Sequence, residues 1–175
     1  MTAIGQGRTG GSVWRVLGWG GAALLLLLPA LANAPWTASD FLFAGILVGG
    51  VGLLVELAAW KAPNAAYFGG AAAALLAAFM TVWVSAAVGM IGDGDNPLNL
   101  MFAGVLGIAL VGALAARFRP AGMARVMTVA AVAQLAAGAI GATADLLGGI
   151  FSAGFALVWL VSALLFGKSA REERL

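Results

Sequence analysis

The sequence predicts an all-α protein, a bundle of six transmembrane helices with both chain ends in the cytoplasm. Three observations predict this fold. The 175-residue chain is 63% hydrophobic and 9% charged, whereas soluble domains are about half apolar and about a quarter charged. Six stretches approach the length of about 20 apolar residues that a spanning helix needs. With six spans, the basic residues all fall on one side of the membrane.

The six apolar stretches follow one another with short polar breaks between them. They cover residues 12–31, 40–60, 66–91, 97–116, 123–144 and 148–166. Such short connections join antiparallel neighbours and leave no room for a soluble domain. The sequence therefore predicts a single transmembrane domain over residues 1–175.

Local signals mark where most of these helices begin. Helix one contains the leucine run 24–28. Thr37 and Asp40 form a capping box before helix two, with Asp in the place of Glu. Asn64 follows a proline at the turn before helix three. Pro97 fits the first position of helix four, where proline is well tolerated, and helix five follows the turn at 120–122. The boundary of helices five and six, near residues 145–149, is the least distinct.

The positive-inside rule gives the orientation. The predicted cytoplasmic side carries all nine basic residues: Arg8, Arg15, Lys61, Arg117, Arg119, Arg125, Lys168, Arg171 and Arg174. The opposite side carries Asp40, Asp93, Asp95 and Asp145. An error in the number of helices would scatter these charges over both sides, so the helix count and the orientation support each other.

The first helix has an alternative interpretation as a cleaved signal peptide. Two arginines, a leucine-rich stretch and the residues Ala32-Asn33-Ala34 are typical of one. Pro35 would follow the cut directly, where proline is poorly tolerated, and the apolar stretch is long for a signal peptide. We expect the helix to be retained; cleavage would leave five helices and an external N-terminus.

A weak internal repeat has an offset of 59 residues. Residues 43–47 match 102–106, and 71–78 match 130–137. One interpretation is a duplicated two-helix hairpin, in which helices 2-3 recur as helices 4-5 in the same orientation. The other is coincidence, because sequence rich in Ala, Gly and Leu aligns easily with itself.

The composition excludes much chemistry. The chain has no Cys and no His, which removes thiol catalysis, disulfides and the commonest general base, metal ligand and haem ligand. Only nine basic residues are present, and topology accounts for their positions, so nucleic acid is not an expected partner. We expect no enzymatic activity, no metal and no cofactor.

Glu56 is the leading candidate for a functional polar residue, because an ionisable side chain in a membrane helix is costly. It lies about one turn before Lys61, near the cytoplasmic boundary. One hypothesis is a proton or cation site. The other, which we favour, is an interfacial carboxylate paired with Lys61 or with the arginines at 117, 119 and 125.

A second candidate region is the turn before helix four. Asp93, Asp95 and Asn96 resemble the start of a calcium loop, but the sequence that follows lacks the glycine at the sixth position and the glutamate at the twelfth that a complete loop needs. Asn99 could share a cleft with Asn96, one turn away. The alternative for all four polar residues is helix capping and turn stabilisation.

The glycines of helix two predict a packing face. Gly45 and Gly49 form a GxxxG pair, and Gly52 extends the same side. Close backbone approach at small residues supplies van der Waals contact between membrane helices. These three residues are therefore predicted to pack against a neighbouring helix or another subunit.

Four blocks carry a resemblance to known sequences. They are 36–41 (WTASDF), 52–57 (GLLVEL), 95–101 (DNPLNLM) and 116–124 (ARFRPAGMA). They resemble a group of small polytopic bacterial inner-membrane proteins that carries no assigned activity, and the likeness extends from about residue 36 to the end. The resemblance implies the topology and a bacterial plasma membrane, but no mechanism.

These observations together favour a structural, assembly or partner-binding role for an integral membrane protein. The expected partners are membrane lipids and either a protein subunit or further copies of the chain. The alternative is a small transporter or channel, as an oligomer, that uses Glu56 or the region from Asp93 to Asn99.

Overall fold

The structure, a computed structural model, describes residues 10–175, and over that range all regular elements are helices. They are α1 (Gly10–Leu31), α2 (Ala38–Lys61), α3 (Ala65–Ala87), a short 3-10 helix (Pro97–Asn99), α4 (Leu100–Ala115), α5 (Pro120–Gly141) and α6 (Leu146–Glu172). The predicted all-α fold with six long helices is confirmed. Arg8 lies outside the described residues.

Five helices of the described range are long and apolar enough to cross a membrane. These spans are Ala38–Lys61, Ala65–Ala87, Pro97–Ala115, Pro120–Gly141 and Leu146–Glu172. The apolar part of α1, Arg15–Leu31, is shorter. The chain thus has the helices of a multi-pass membrane protein. The orientation of its ends and the duplicated hairpin stay predictions.

Two of the predicted helix starts have the expected local geometry. The Thr37 amide donates to Asp40 Oδ2 at 2.7 Å, and the Asp40 amide donates to Thr37 Oγ1 at 3.4 Å. This reciprocal pair is the predicted capping box. Asn64 Oδ1 accepts from the Tyr67 amide at 2.9 Å and so caps α3.

The ends of α3 and α6 differ from the prediction. α3 ends at Ala87 instead of residue 91, because Gly89 takes a φ of +82° that stops the helix. Met90 and Ile91 are apolar, as helix residues would be, but they are buried residues of a loop. α6 extends to Glu172 instead of 166, and its polar end carries an i,i+4 ion pair of 3.9 Å between Lys168 and Glu172.

The chain divides into two compact units, residues 1–56 and 57–175. Within its described part, the first unit consists of α1 and α2 as far as Glu56. The second consists of the end of α2 and all of α3 to α6. The interpretation as a single transmembrane domain stays a prediction.

Helix α6 is the centre of the second unit, where it packs along both α5 and α3, while α4 packs on α5. Glycines allow these close contacts. A Cβ added to Gly138 of α5 would lie 2.8 Å from Ala153 Cβ and from Gly149 O on α6. On the other side, Gly70 of α3 lies against the ring of Phe166, and Ser162 Oγ donates to Gly70 O at 2.7 Å.

Candidate functional site

Glu56 lies beside two polar side chains of α1. Arg15 Nη2 is 2.8 Å from Glu56 Oε2, and Trp19 Nε1 donates to Glu56 Oε1 at 3.3 Å. The Glu56 side chain is 23% exposed and that of Arg15 is 54% exposed. Both carboxylate oxygens therefore have a donor, and the charge is neutralised at the edge of the α1–α2 pair.

The cation beside Glu56 differs from those named in the sequence analysis. Lys61 and the arginines at 117–125 were the expected partners, and the structure places Arg15 there. Arg15 and Trp19 are four residues apart, so they share one face of α1. That spacing is visible in the sequence, but nothing local shows that this face meets Glu56.

Glu56→Gln is expected to lower the free energy of unfolding by no more than about 1–2 kcal/mol, because the pair with Arg15 is partly exposed. Thermal unfolding in mild detergent measures the change. Glu172→Gln, which breaks the exposed pair with Lys168, is the matched control and is expected to have a smaller effect. Loss of a measured ion flux in Glu56→Gln would contradict the structural interpretation and favour transport.

The loop of residues 88–96 is held by Asn99. Asn99 Oδ1 accepts from the amides of Met90 at 3.0 Å and Ile91 at 2.8 Å. Its Nδ2 donates to Ile91 O at 3.3 Å and to Asp93 O at 2.7 Å. One side chain thus satisfies several backbone groups of a loop whose residues Met90 and Ile91 are buried.

Asp145 connects the same loop to the start of α6. Its Oδ1 accepts from the Gly148 amide at 3.1 Å, which caps α6, and its Oδ2 accepts from the Gly92 amide at 3.0 Å. The backbone hydrogen bonds from Gly148 and then Gly92 hold the pKa of Asp145 below its ordinary value, against a smaller opposing effect of burial. The carboxylate therefore stays ionised and joins two segments.

The other polar residues of the loop do not gather into a site. Asp93 and Asp95 are exposed residues. Asn96 Oδ1 accepts from the Leu98 amide at 3.0 Å and caps the 3-10 helix. The side chains of Asn96 and Asn99 both hydrogen-bond to backbone groups. These contacts do not form the shared polar cleft that the sequence suggested for the two residues. Over residues 10–175, no three His, Cys, Asp or Glu side chains are grouped as metal ligands would be.

The three glycines of α2 have different surroundings. A Cβ on Gly45 or Gly49 would meet no described atom within 4 Å. A Cβ on Gly52 would lie 2.8 Å from the indole of Trp19. Gly52 therefore allows the close approach of α1, while the GxxxG pair stands open in the described part of the chain.

The helices of the second unit also carry buried polar residues. Gln134, Ser152, Thr81 and Ser162 are fully buried. Gln134 Nε2 donates to Ser152 O at 2.9 Å and so joins α5 to α6. Thr81 Oγ1 donates to Ala77 O of its own helix at 2.8 Å. The sequence shows single polar residues in apolar helices, but their facing partners depend on helix packing.

The fold and these contacts are those of a multi-pass, all-helical protein, and its helices are compatible with an integral membrane protein. Comparison with protein-family models, with curated proteins and with solved structures finds no match.

Proposed function

We propose that this chain is a non-catalytic protein of the bacterial inner membrane with a structural, assembly or partner-binding role. One observation carries the proposal: the polar side chains best placed for chemistry hold segments of the chain together. Glu56 bonds α1, Asn99 bonds the backbone of its loop, and Asp145 joins that loop to α6.

The open glycine pair of α2 is the surface that we propose for a partner. Gly45 and Gly49 are four residues apart and lie on one side of the helix. With no described atom within 4 Å of either added Cβ, a helix of another subunit or of a second copy could approach the backbone closely. Van der Waals contact of this kind drives association in lipid.

A photo-crosslinking residue at position 49 tests this surface in native membranes. We expect a discrete protein adduct, identified by mass as a second copy or another subunit. Phe43 supplies the matched control position, because it is 44% exposed and six residues from Gly49, which places it about 120° away on the helix. Gly45→Leu is expected to abolish the adduct while the chain still folds. Equal labelling of lipid alone from both positions would contradict the proposal.

The proposed topology has both ends of the chain in the cytoplasm. A reporter fused after Leu175 is expected to be cytoplasmic, and one inserted between Gly92 and Gly94 periplasmic, because the basic residues then all lie inside. Paired reporters, one active in each compartment, measure the two positions. Both reporters on the same side would contradict the six-helix topology.

A further inference from the structure

The turn between α4 and α5 has an unusual backbone. Arg117 has a φ of +51° and Phe118 a φ of +57°. This left-handed region suits glycine, and an arginine followed by a phenylalanine is uncommon there, because the Cβ atom crowds the backbone. The sequence thus keeps two large side chains where glycine would relieve strain.

The turn is nonetheless held in one conformation. The Phe118 amide donates to Ala113 O at 3.1 Å, and the Arg117 amide donates to Leu114 O at 3.0 Å, which closes the end of α4. Tyr67 of α3 donates from its hydroxyl to Phe118 O at 2.9 Å. The backbone that carries the three side chains of the turn is therefore held in a fixed conformation.

The three residues of the turn lie at the surface of the described chain. Arg117 and Arg119 are exposed, and neither guanidinium makes an ion pair or hydrogen bond within the described residues. Phe118 between them is 51% exposed. The turn therefore places an exposed aromatic ring between two positive charges that have no partner in the described chain, which makes this short segment amphipathic.

The position of the turn identifies the medium it meets. α4 and α5 are both apolar enough to span a membrane, and only residues 116–119 separate them. The turn must then lie at the boundary of the bilayer, where lipid phosphates and the ends of acyl chains are both within reach. Interfacial aromatic rings and basic side chains favour this depth.

The charged end of α6 lies at the same end of the second unit as the turn. The Tyr67 ring packs edge-on against Phe166 of α6, with centroids 5.0 Å apart, while its hydroxyl bonds the turn. The end of α6, with Lys168 and Arg171, is therefore on the side of the turn. Lys168 is paired there with Glu172, so the arginines of the turn itself supply the attraction for an anionic leaflet.

We propose that the turn of Arg117, Phe118 and Arg119 is a binding site for anionic phospholipid, with the two guanidinium groups on the headgroup phosphate and the phenyl ring among the upper acyl carbons. This inference depends only on the membrane location of α4 and α5. It is independent of the proposed partner surface on α2.

Lipid retention by the full-length protein tests the site. The protein is reconstituted in vesicles of phosphatidylglycerol and phosphatidylcholine, extracted in mild detergent, and its bound lipid is counted by native mass spectrometry. Arg117→Gln/Arg119→Gln is expected to retain less phosphatidylglycerol, by roughly fivefold for each arginine removed. Bound phosphatidylcholine is expected to change little, and added salt to weaken the wild-type preference.

Arg171→Gln/Arg174→Gln is the matched control, because it removes the same charge from the same end of the protein. Retention close to wild type in the control supports a site at the turn. Equal losses in both double variants would overturn it in favour of a general effect of charge.

A second variant separates lipid binding from folding. Arg117→Gly/Phe118→Gly relieves the left-handed backbone, so its melting temperature is expected to equal or exceed that of the wild type while phosphatidylglycerol retention falls. Unchanged retention in this variant would also overturn the proposal.

Discussion

Gly138→Leu is expected to lower the free energy of unfolding of the unit 57–175 by about 3 kcal/mol or more, the upper end of the range for overpacking. The reason is the contact between α5 and α6. A Cβ at residue 138 would lie 2.8 Å from Gly149 O and 2.9 Å from the Ala153 amide nitrogen. Both are backbone atoms, so no side chain can rotate away and the helices must separate.

Gly154→Leu is the matched control for this substitution. Gly154 lies on α6, five residues after Gly149, and a Cβ there would meet no described atom within 4 Å. Its leucine would extend into lipid. Thermal unfolding in mild detergent compares the two variants with the wild type. Equal melting temperatures for Gly138→Leu and Gly154→Leu would show that α5 and α6 do not pack as the structure has them.

The helices that could be predicted from the sequence are those with local signals. The capping box of Thr37 and Asp40 and the proline at residue 97 fix helix starts within a few neighbouring residues. The end of α3 could not be predicted in this way. Met90 and Ile91 continue the apolar pattern, but Ile91 is buried against Gly141 of α5, a contact that only the tertiary fold supplies.

The glycines show the same limit of local pattern. GxxxG spacing placed Gly45 and Gly49 on a packing face, and the described chain supplies no atom to fill it. The close contacts of the second unit instead use Gly138 and Gly149, which are on different helices and form no local motif with each other. Spacing within one helix shows which residues share a face, but not which helix that face meets.

The candidate polar residues divide along similar lines. The role of Asn96 as a helix cap could be predicted from its position directly before a proline. The pair of Glu56 with Arg15 joins residues 41 positions apart, and Asp145 bonds Gly92 across 53 positions. Such partners depend on which helices are neighbours, so a single sequence indicates the candidate but not its contact.

Asn99→Ala is expected to cost about 2–6 kcal/mol of unfolding free energy, because it leaves two buried amides without an acceptor, at about 1–3 kcal/mol for each unsatisfied group. Met90 is 2% exposed and Ile91 is fully buried, so water cannot easily replace the lost acceptor at either amide. The carbonyls of Ile91 and Asp93 lose their donor in the same variant. The loop should then detach locally before the helices unfold.

Amide hydrogen exchange in detergent separates that local opening from general loss of stability. In Asn99→Ala, the amides of Met90 and Ile91 are expected to exchange at least about tenfold faster, the factor that 1.4 kcal/mol represents, while the centres of α5 and α6 change less. Asn99→Asp keeps an acceptor for both amides and is expected to lie between Asn99→Ala and the wild type. Asp95→Ala, an exposed substitution in the same loop, is the control and should stay within about 0.5 kcal/mol of the wild type. Wild-type exchange rates at residues 90 and 91 in Asn99→Ala would show that this side chain does not hold the loop.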